Sequence, residues 1–431
     1  MRAALLLLLL ALPCRAEEGP PTEQQRLEAL CGALRERIEG WMGEGFGRGI
    51  PVQVVEREWL AGFARDTERR LTPARTLAMM QMLAERLHQV PEGYDILERQ
   101  IDLFRKLVAG LYDCEEDRFF VVAGMAQGDL REFAITAAHE LVHAHRDGNT
   151  DFWERTLRLA SLDSDAVLAL RCLVEGDANL LGNAFGVAHL SERPTGEVLD
   201  LVARSAERSA QEFRDSMNGP ELREFPAALR EMLVAPYTDG EIFAAALYRS
   251  GGGAALLRAF RDPPRSTEQI LHPRKYLADP PDEPVVFRGG DPSAALGEGW
   301  SVGYADTIGE LELRVHFTPL LGRGRAVRAA AGWDGARYHL CIREGSVPFL
   351  GLVSEWDSEQ DAWEFAGAWA EWAALRDGRR SARRLRPGGW LVPTAEGDVR
   401  VDVCGTRVLV ADGLPAGREE PVLAALASAE R

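Results

Sequence analysis

The sequence predicts an α+β fold: a mainly helical region with one short strand through residue 284, then a small C-terminal domain of strands and helix over 285–431. Three observations carry that expectation. Apolar residues recur at helical spacing over most of 22–260. The passage Asp279-Pro280-Pro281-Asp282-Glu283-Pro284 disfavours regular structure and reads as a linker. Beyond residue 290, short β-type runs replace the helical texture. A length of 431 residues suits two or three domains, and 46% hydrophobic with 27% charged residues excludes wholesale disorder.

Residues 1–16 read as a secretory signal peptide. Arg2 gives a basic start, the apolar run 3–12 is too short to span a bilayer, and Cys14 and Ala16 put small residues at −3 and −1 of a cleavage site. The mature chain is therefore expected outside the cytoplasm, periplasmic or extracellular. No other long apolar run exists, so no integral membrane span is expected.

Residues 17–111 read as a helical N-terminal region. One helix opens at Pro21-Thr22 with Leu27, Leu30, Leu34 and Ile38 on one face. A second starts at Thr72-Pro73 and carries Leu77, Met80, Leu83 and Leu87. A third carries Ile96, Ile101, Leu103, Leu107 and Leu111. From 112 to 284 the pattern is a short strand at 118–122, a helix from 130 to about 146 stopped by Asp147-Gly148-Asn149, a helix over 163–181, and further helices over 196–260. In the C-terminal domain, strands are expected at 338–342 and 350–354 and a helix at 358–375. A hairpin of 399–404 with 407–410 turns at Gly405-Thr406.

Asp and Glu number 67 against 50 Lys and Arg, a net charge of −17, which argues against nucleic acid as a partner. Beyond the leader stand Cys31, Cys114, Cys172, Cys341 and Cys404, with no CxxC pair for a thiolate metal site. An oxidising compartment permits one or two disulfides among them. Nothing in the sequence sets an oligomeric state.

The string that carries chemistry is Ala137-Ala138-His139-Glu140-Leu141-Val142-His143, an H-E-x-x-H. A four-residue step rotates a helix by about 40°, so His139 and His143 project from one face and suit one Zn²⁺. Glu140, rotated by about 100°, reaches instead a water beside the metal, as a general base. A third protein ligand is needed, with His145, Asp147, Glu175 and Asp177 as candidates. His145 points to another side of the helix and reads as a rim or surface residue. Glu175 lies in Leu173-Val174-Glu175-Gly176-Asp177-Ala178, where a carboxylate on an apolar helix needs a partner. Gly176 would let that helix approach its neighbour closely.

HExxH followed by a glutamate on a later helix resembles the gluzincin zinc metallopeptidases. The string from His139 to Asp147 is similar to HELTHALQD, and Leu173–Ala178 to LVEGDA, of uncharacterised bacterial exported zinc-peptidase-like proteins. Tyr112-Asp113, Tyr237 with Gly240 and Phe243, and Ser266-Thr267-Glu268-Gln269-Ile270-Leu271-His272-Pro273 with Tyr276 extend the likeness over 112–276. The resemblance implies a zincin-like catalytic region over 112–284, one zinc held by His139, His143 and Glu175, and Glu140 as base. Where many gluzincins carry an aspartate four residues past the ligand glutamate, this chain has Asn179. His145 stands in place of the usual apolar residue.

The tetrahedral intermediate needs a donor for its oxyanion, and His272 is expected by elimination, with Tyr276 as the alternate and Tyr237 third. The short strand at 118–122 is expected to offer an edge to an extended substrate. The sequence thus predicts an exported zinc metalloendopeptidase acting on a peptide or protein. The rival reading is a non-catalytic secreted binding protein that keeps the metal helix as scaffold. Glu140 argues against it, since a structural site has no use for that base.

Overall fold

The computed structural model describes residues 22–125, 130–150, 152–159, 163–219, 222–378, 382–385 and 388–431. The leader 1–16 lies outside them. The first half runs α1 (Glu23–Met42), β1 (Val52–Val55), α2 (Arg57–Leu71), α3 (Ala74–Arg86), α4 (Ile96–Leu107), β2 (Gly110–Asp113), β3 (Arg118–Val122), α5 (Leu130–Thr150), α6 (Phe152–Leu159), α7 (Ser164–Ser191), α8 (Thr195–Ser216), α9 (Ala227–Arg261), α10 (Thr267–Leu271) and α11 (Pro273–Tyr276). Thr22 opens α1 with a capping box: its hydroxyl accepts from the Gln25 N–H and the Gln25 side chain accepts from the Thr22 N–H. Leu27, Leu30, Leu34 and Ile38 are buried on its inner face, as their spacing predicts.

The core of this half is a stack of α5, α7 and α9 around a nearly all-apolar α7. Asp163 caps α7 by accepting from the N–H groups of Asp165 and Ala166. Glycines set the spacing of the stack. A Cβ on Gly176 would fall 2.1 Å from the Gly240 carbonyl on α9, and one on Gly186 would fall 2.8 Å from Ile135 Cα on α5. The close approach read at Gly176 is thus to α9. The expected stop at Asp147-Gly148-Asn149 does not act, and α5 continues to Thr150. There Asn149 and Thr150 bond back to the carbonyls of His145 and Arg146, and Gly148 packs against the Phe46 carbonyl.

The small sheet corrects one expectation. β3, at 118–122, is the central strand, paired parallel with β1 and antiparallel with β2. It offers no free edge. The edges are β1 and β2, and Leu111 of β2 is a residue the sequence pattern assigned to a helix. Of the stripe expected at α3, Leu87 is buried in the core of the sheet with Leu83 packed against it, whereas Met80 is exposed and Met79 is buried in its place.

The second half adds α12 (Ser293–Leu296), β4 (Ser301–Asp306), α13 (Glu310–Leu321), α14 (Arg323–Ala330), β5 (Trp333–Ile342), β6 (Phe349–Trp356), α15 (Glu359–Arg376), β7 (Arg383–Leu385), β8 (Gly389–Val392), β9 (Asp398–Cys404), β10 (Arg407–Leu414) and α16 (Glu419–Ala427). Its strands form one antiparallel sheet in the order β4-β5-β6-β10-β9-β8-β7. The two-residue alternation is plain at the centre. Leu350, Leu352, Val408 and Val410 face α15 and its tryptophans, while Phe349, Val353, Leu409 and Ala411 face α16. The molecule is therefore α+β.

The halves interlock. Leu311 and Val315 of α13 join the helical core, whereas Leu313 and Phe317 join the core of the sheet. From the N-terminal segment, Met79 lies against Gly303 of β4 and Arg86 pairs with Asp412 and Glu396. The proline-rich linker is pinned by Lys275, whose ammonium contacts Glu268, Asp282 and Asp357 at 2.6, 2.9 and 2.6 Å. Among the described residues, no helix is long and apolar enough to cross a membrane, and Cys31, Cys114, Cys172, Cys341 and Cys404 are free thiols.

Candidate metal centre

The geometry starts from α5. Ala134, Ala137, Ala138, Leu141 and Val142 bury one side of the helix, leaving His139 and His143 to face the cavity between α5, α7 and α9. Their Nε2 atoms lie 3.0 Å apart. Glu175 of α7 brings Oε2 to 3.4 Å from each of those nitrogens. That oxygen is buried and accepts no hydrogen bond. One ligating atom from each of the three residues lies within 4.8 Å of the others. Burial raises the Glu175 pKa, but the two facing imidazoles outweigh it and hold the carboxylate well below its usual range. Three electron-pair donors converging with an orphaned oxygen suit a cation, and two imidazoles with one carboxylate suit zinc with an open fourth position.

Glu140 sits beside the group on α5 and is 9% exposed. Its Oε2 accepts the Tyr112 N–H of β2 at 2.8 Å. Burial pushes its pKa up to about 7, against the opposing pull of His139 and that N–H. Tyr237 of α9 stacks on His139, ring centroids 6.1 Å apart at 21°. Burial first, then the Glu175 carboxylate, hold its phenol far above the ordinary range, so it stays a proton donor.

The residues around the group have other duties than the sequence suggested. Asn179 donates to the Tyr237 carbonyl at 3.0 Å and so fixes α9. Asp177 is fully buried in a two-point pair with Arg146 at 2.7 and 3.2 Å. Asp147 accepts from Arg48 and from the Tyr112 hydroxyl. His145, expected at the rim, is instead 1% exposed, with Nε2 2.9 Å from the Glu44 carbonyl and its ring edge-on to Phe46.

The two residues ranked first as oxyanion donors are not brought to the group. His272 Nε2 lies 2.9 Å from Glu310 Oε1. The Tyr276 hydroxyl donates to the Asp262 carbonyl at 2.7 Å, and its ring packs on Phe243. Neither lines the cavity that holds His139, His143 and Glu175.

That cavity has a volume of about 600 Å³. Its walls are largely apolar, with Phe104, Phe152, Trp153, Phe213 and Leu233 among them, and Gly110, Leu111 and Tyr112 of β2 form one side. Tyr237 and the β2 edge are what sequence reasoning undervalued. The signal for Tyr237 was its place near Gly240, the glycine that meets α7 one residue past Glu175. Residues 301–422 match a protein family described as a domain of unknown function (DUF8575). No curated protein and no solved structure matches the chain.

Proposed function

We propose that this chain is an exported zinc-dependent metallopeptidase of gluzincin type, its helical half a zincin-like catalytic region. The observation that carries the reading is the convergence of His139, His143 and Glu175, with Glu140 beside them and a cavity in front. When bound, zinc supplies a Lewis acid that polarises the scissile carbonyl and lowers the pKa of water.

The chain's own groups do the rest. Glu140 takes the proton of the attacking water on its carboxylate and returns it to the leaving amine. Tyr112 N–H keeps that carboxylate aimed, and burial keeps its basicity close to neutral pH. Tyr237, rather than His272 or Tyr276, donates a hydrogen bond from its phenol to the developing oxyanion and keeps its proton. In an antiparallel pair alternate residues turn their backbone groups outward; with the Tyr112 N–H held by Glu140, the Gly110 N–H and carbonyl and the Tyr112 carbonyl are left to suit an extended peptide. Export rests on the leader 1–16.

The test combines metal analysis with a peptide-cleavage screen. The purified protein is expected to hold about one zinc per chain, lost in His139→Ala, His143→Ala and Glu175→Ala. Glu140→Gln is expected to keep the metal and lose hydrolysis. Full cleavage by Glu140→Gln, or full zinc in Glu175→Ala, would defeat the reading.

A further inference from the structure

The cavity wall contributed by α7 comes from Val167, Arg171, Val174, Glu175 and Asn179, residues that steps of three and four place on one face of the helix. Arg171 stands one turn before Glu175, with about 6 Å expected between the two Cβ atoms. Among the described lining residues it is the one arginine, and no lysine joins it. It is exposed to the cavity, and among the described residues no carboxylate lies within ion-pair distance of it. The Glu175 carboxylate one turn on is engaged by the two imidazoles instead.

Among the described residues, the buried arginines all have carboxylate partners. Arg86 pairs with Asp412, Arg146 with Asp177, and Arg214 and Arg314 with Asp239. What distinguishes Arg171 among the unpaired arginines is its place: it lines the largely apolar cavity that holds His139, His143 and Glu175. Such a group in a partly dry cleft attracts a planar anion, and its fork of N–H donors matches a carboxylate.

We infer that Arg171 is the specificity-determining residue of the site and anchors a carboxylate of the peptide whose apolar side chains fill the cavity. The inference rests on the peptidase reading for the identity of the ligand, not for the anchoring chemistry. A peptide carboxylate comes from an acidic side chain or from the C-terminus, and both present the same group to the guanidinium.

The test uses the full chain, zinc-loaded and carrying Glu140→Gln, so that peptides bind without being cut. The probes share one apolar sequence. One is blocked at both ends, one has a free C-terminal carboxylate, and a set blocked at both ends carries glutamate in place of glutamine at each position in turn. Calorimetry is expected to show one carboxylate-bearing form binding roughly 10-fold to 100-fold more tightly than the blocked peptide. The free acid as the tight form assigns the chain end; an internal glutamate assigns a side chain.

Adding Arg171→Gln is expected to erase the difference, and Arg171→Lys to keep part of it, with zinc content and melting held. Equal affinities in the parent, no binding of any probe, or a preference that survives Arg171→Gln would overturn the inference. Binding is the readout, so the two readings fail separately. Carboxylate-selective binding without cleavage by the Glu140 protein removes the peptidase and keeps the anchor; cleavage without selectivity does the reverse.

Discussion

Gly182 of α7 rests directly on His139 of α5: a Cβ built on Gly182 would lie 2.8 Å from both the backbone nitrogen and the Cα of His139. Gly182 lies seven residues past Glu175, close to two helical turns, and so shares its face. The helix that supplies the carboxylate is thus seated on the residue that supplies an imidazole.

Gly182→Ala is expected to push α5 and α7 apart, destabilising the protein by about 1–3 kcal/mol as overpacking does and weakening zinc binding. Gly62→Ala on α2, where nothing lies within 4 Å of the new methyl, is expected to be neutral or to stabilise by up to about 1 kcal/mol. Urea melts and metal titration on the pair check this. A Gly182→Ala protein as stable and as tight for zinc as the parent contradicts it.

Tyr237→Phe is expected to keep zinc and lower kcat by about 10²-fold to 10³-fold, as for loss of one oxyanion donor. Tyr276→Phe removes only the bond to the Asp262 carbonyl and is expected to leave kcat within a few-fold. The reverse ranking would return the oxyanion role to the region of α11.

The pair of His272 and Glu310 predicts a pH signature in stability. The hydrogen bond from His272 to the Glu310 carboxylate raises the His272 pKa, with burial opposing, Lys275 lowering it and Asp357 raising it. A histidine with a raised folded pKa adds stability that is fully present below its unfolded pKa of about 6.5. That stability fades as pH rises through the raised folded value. The melting temperature of His272→Ala should therefore fall further below the parent at pH 6 than at pH 8.5. A gap that is constant with pH refutes the pairing.

Asp177→Ala leaves Arg146 charged and buried without its partner, at a cost of about 3–5 kcal/mol. The folded fraction is expected to keep its zinc, because Asp177 points to Arg146 and away from the imidazoles. Metal loss from a folded Asp177→Ala protein would make that carboxylate a ligand after all.

The sequence was most legible where structure is local. The spacing of His139 and His143, the apolar setting of Glu175, the helix start at Thr22 and the hairpin turn at Gly405-Thr406 are all short-range patterns, and each stands where the pattern put it. What was not legible depends on distant partners. Whether β3 has a free edge is decided by β1, more than sixty residues earlier in the chain. His272 was chosen by elimination, but its partner Glu310 enters from α13. Met80 looked like core until α3 turned Met79 toward β4 instead. The stop signal at Asp147-Gly148-Asn149 was overridden because Gly148 meets the Phe46 carbonyl, and only glycine fits there.

α13 has a consequence for how the protein comes apart. With Leu311 and Val315 in one core and Leu313 and Phe317 in the other, neither core is complete while the other is melted. Unfolding is expected to be one calorimetric transition, with the van't Hoff and calorimetric enthalpies equal. A truncation at the proline-rich passage would strip α7 and α9 of α13. The helical half alone would then expose apolar surface and aggregate, so recombination that exchanges only the sheet would fail unless α13 stayed with the helices.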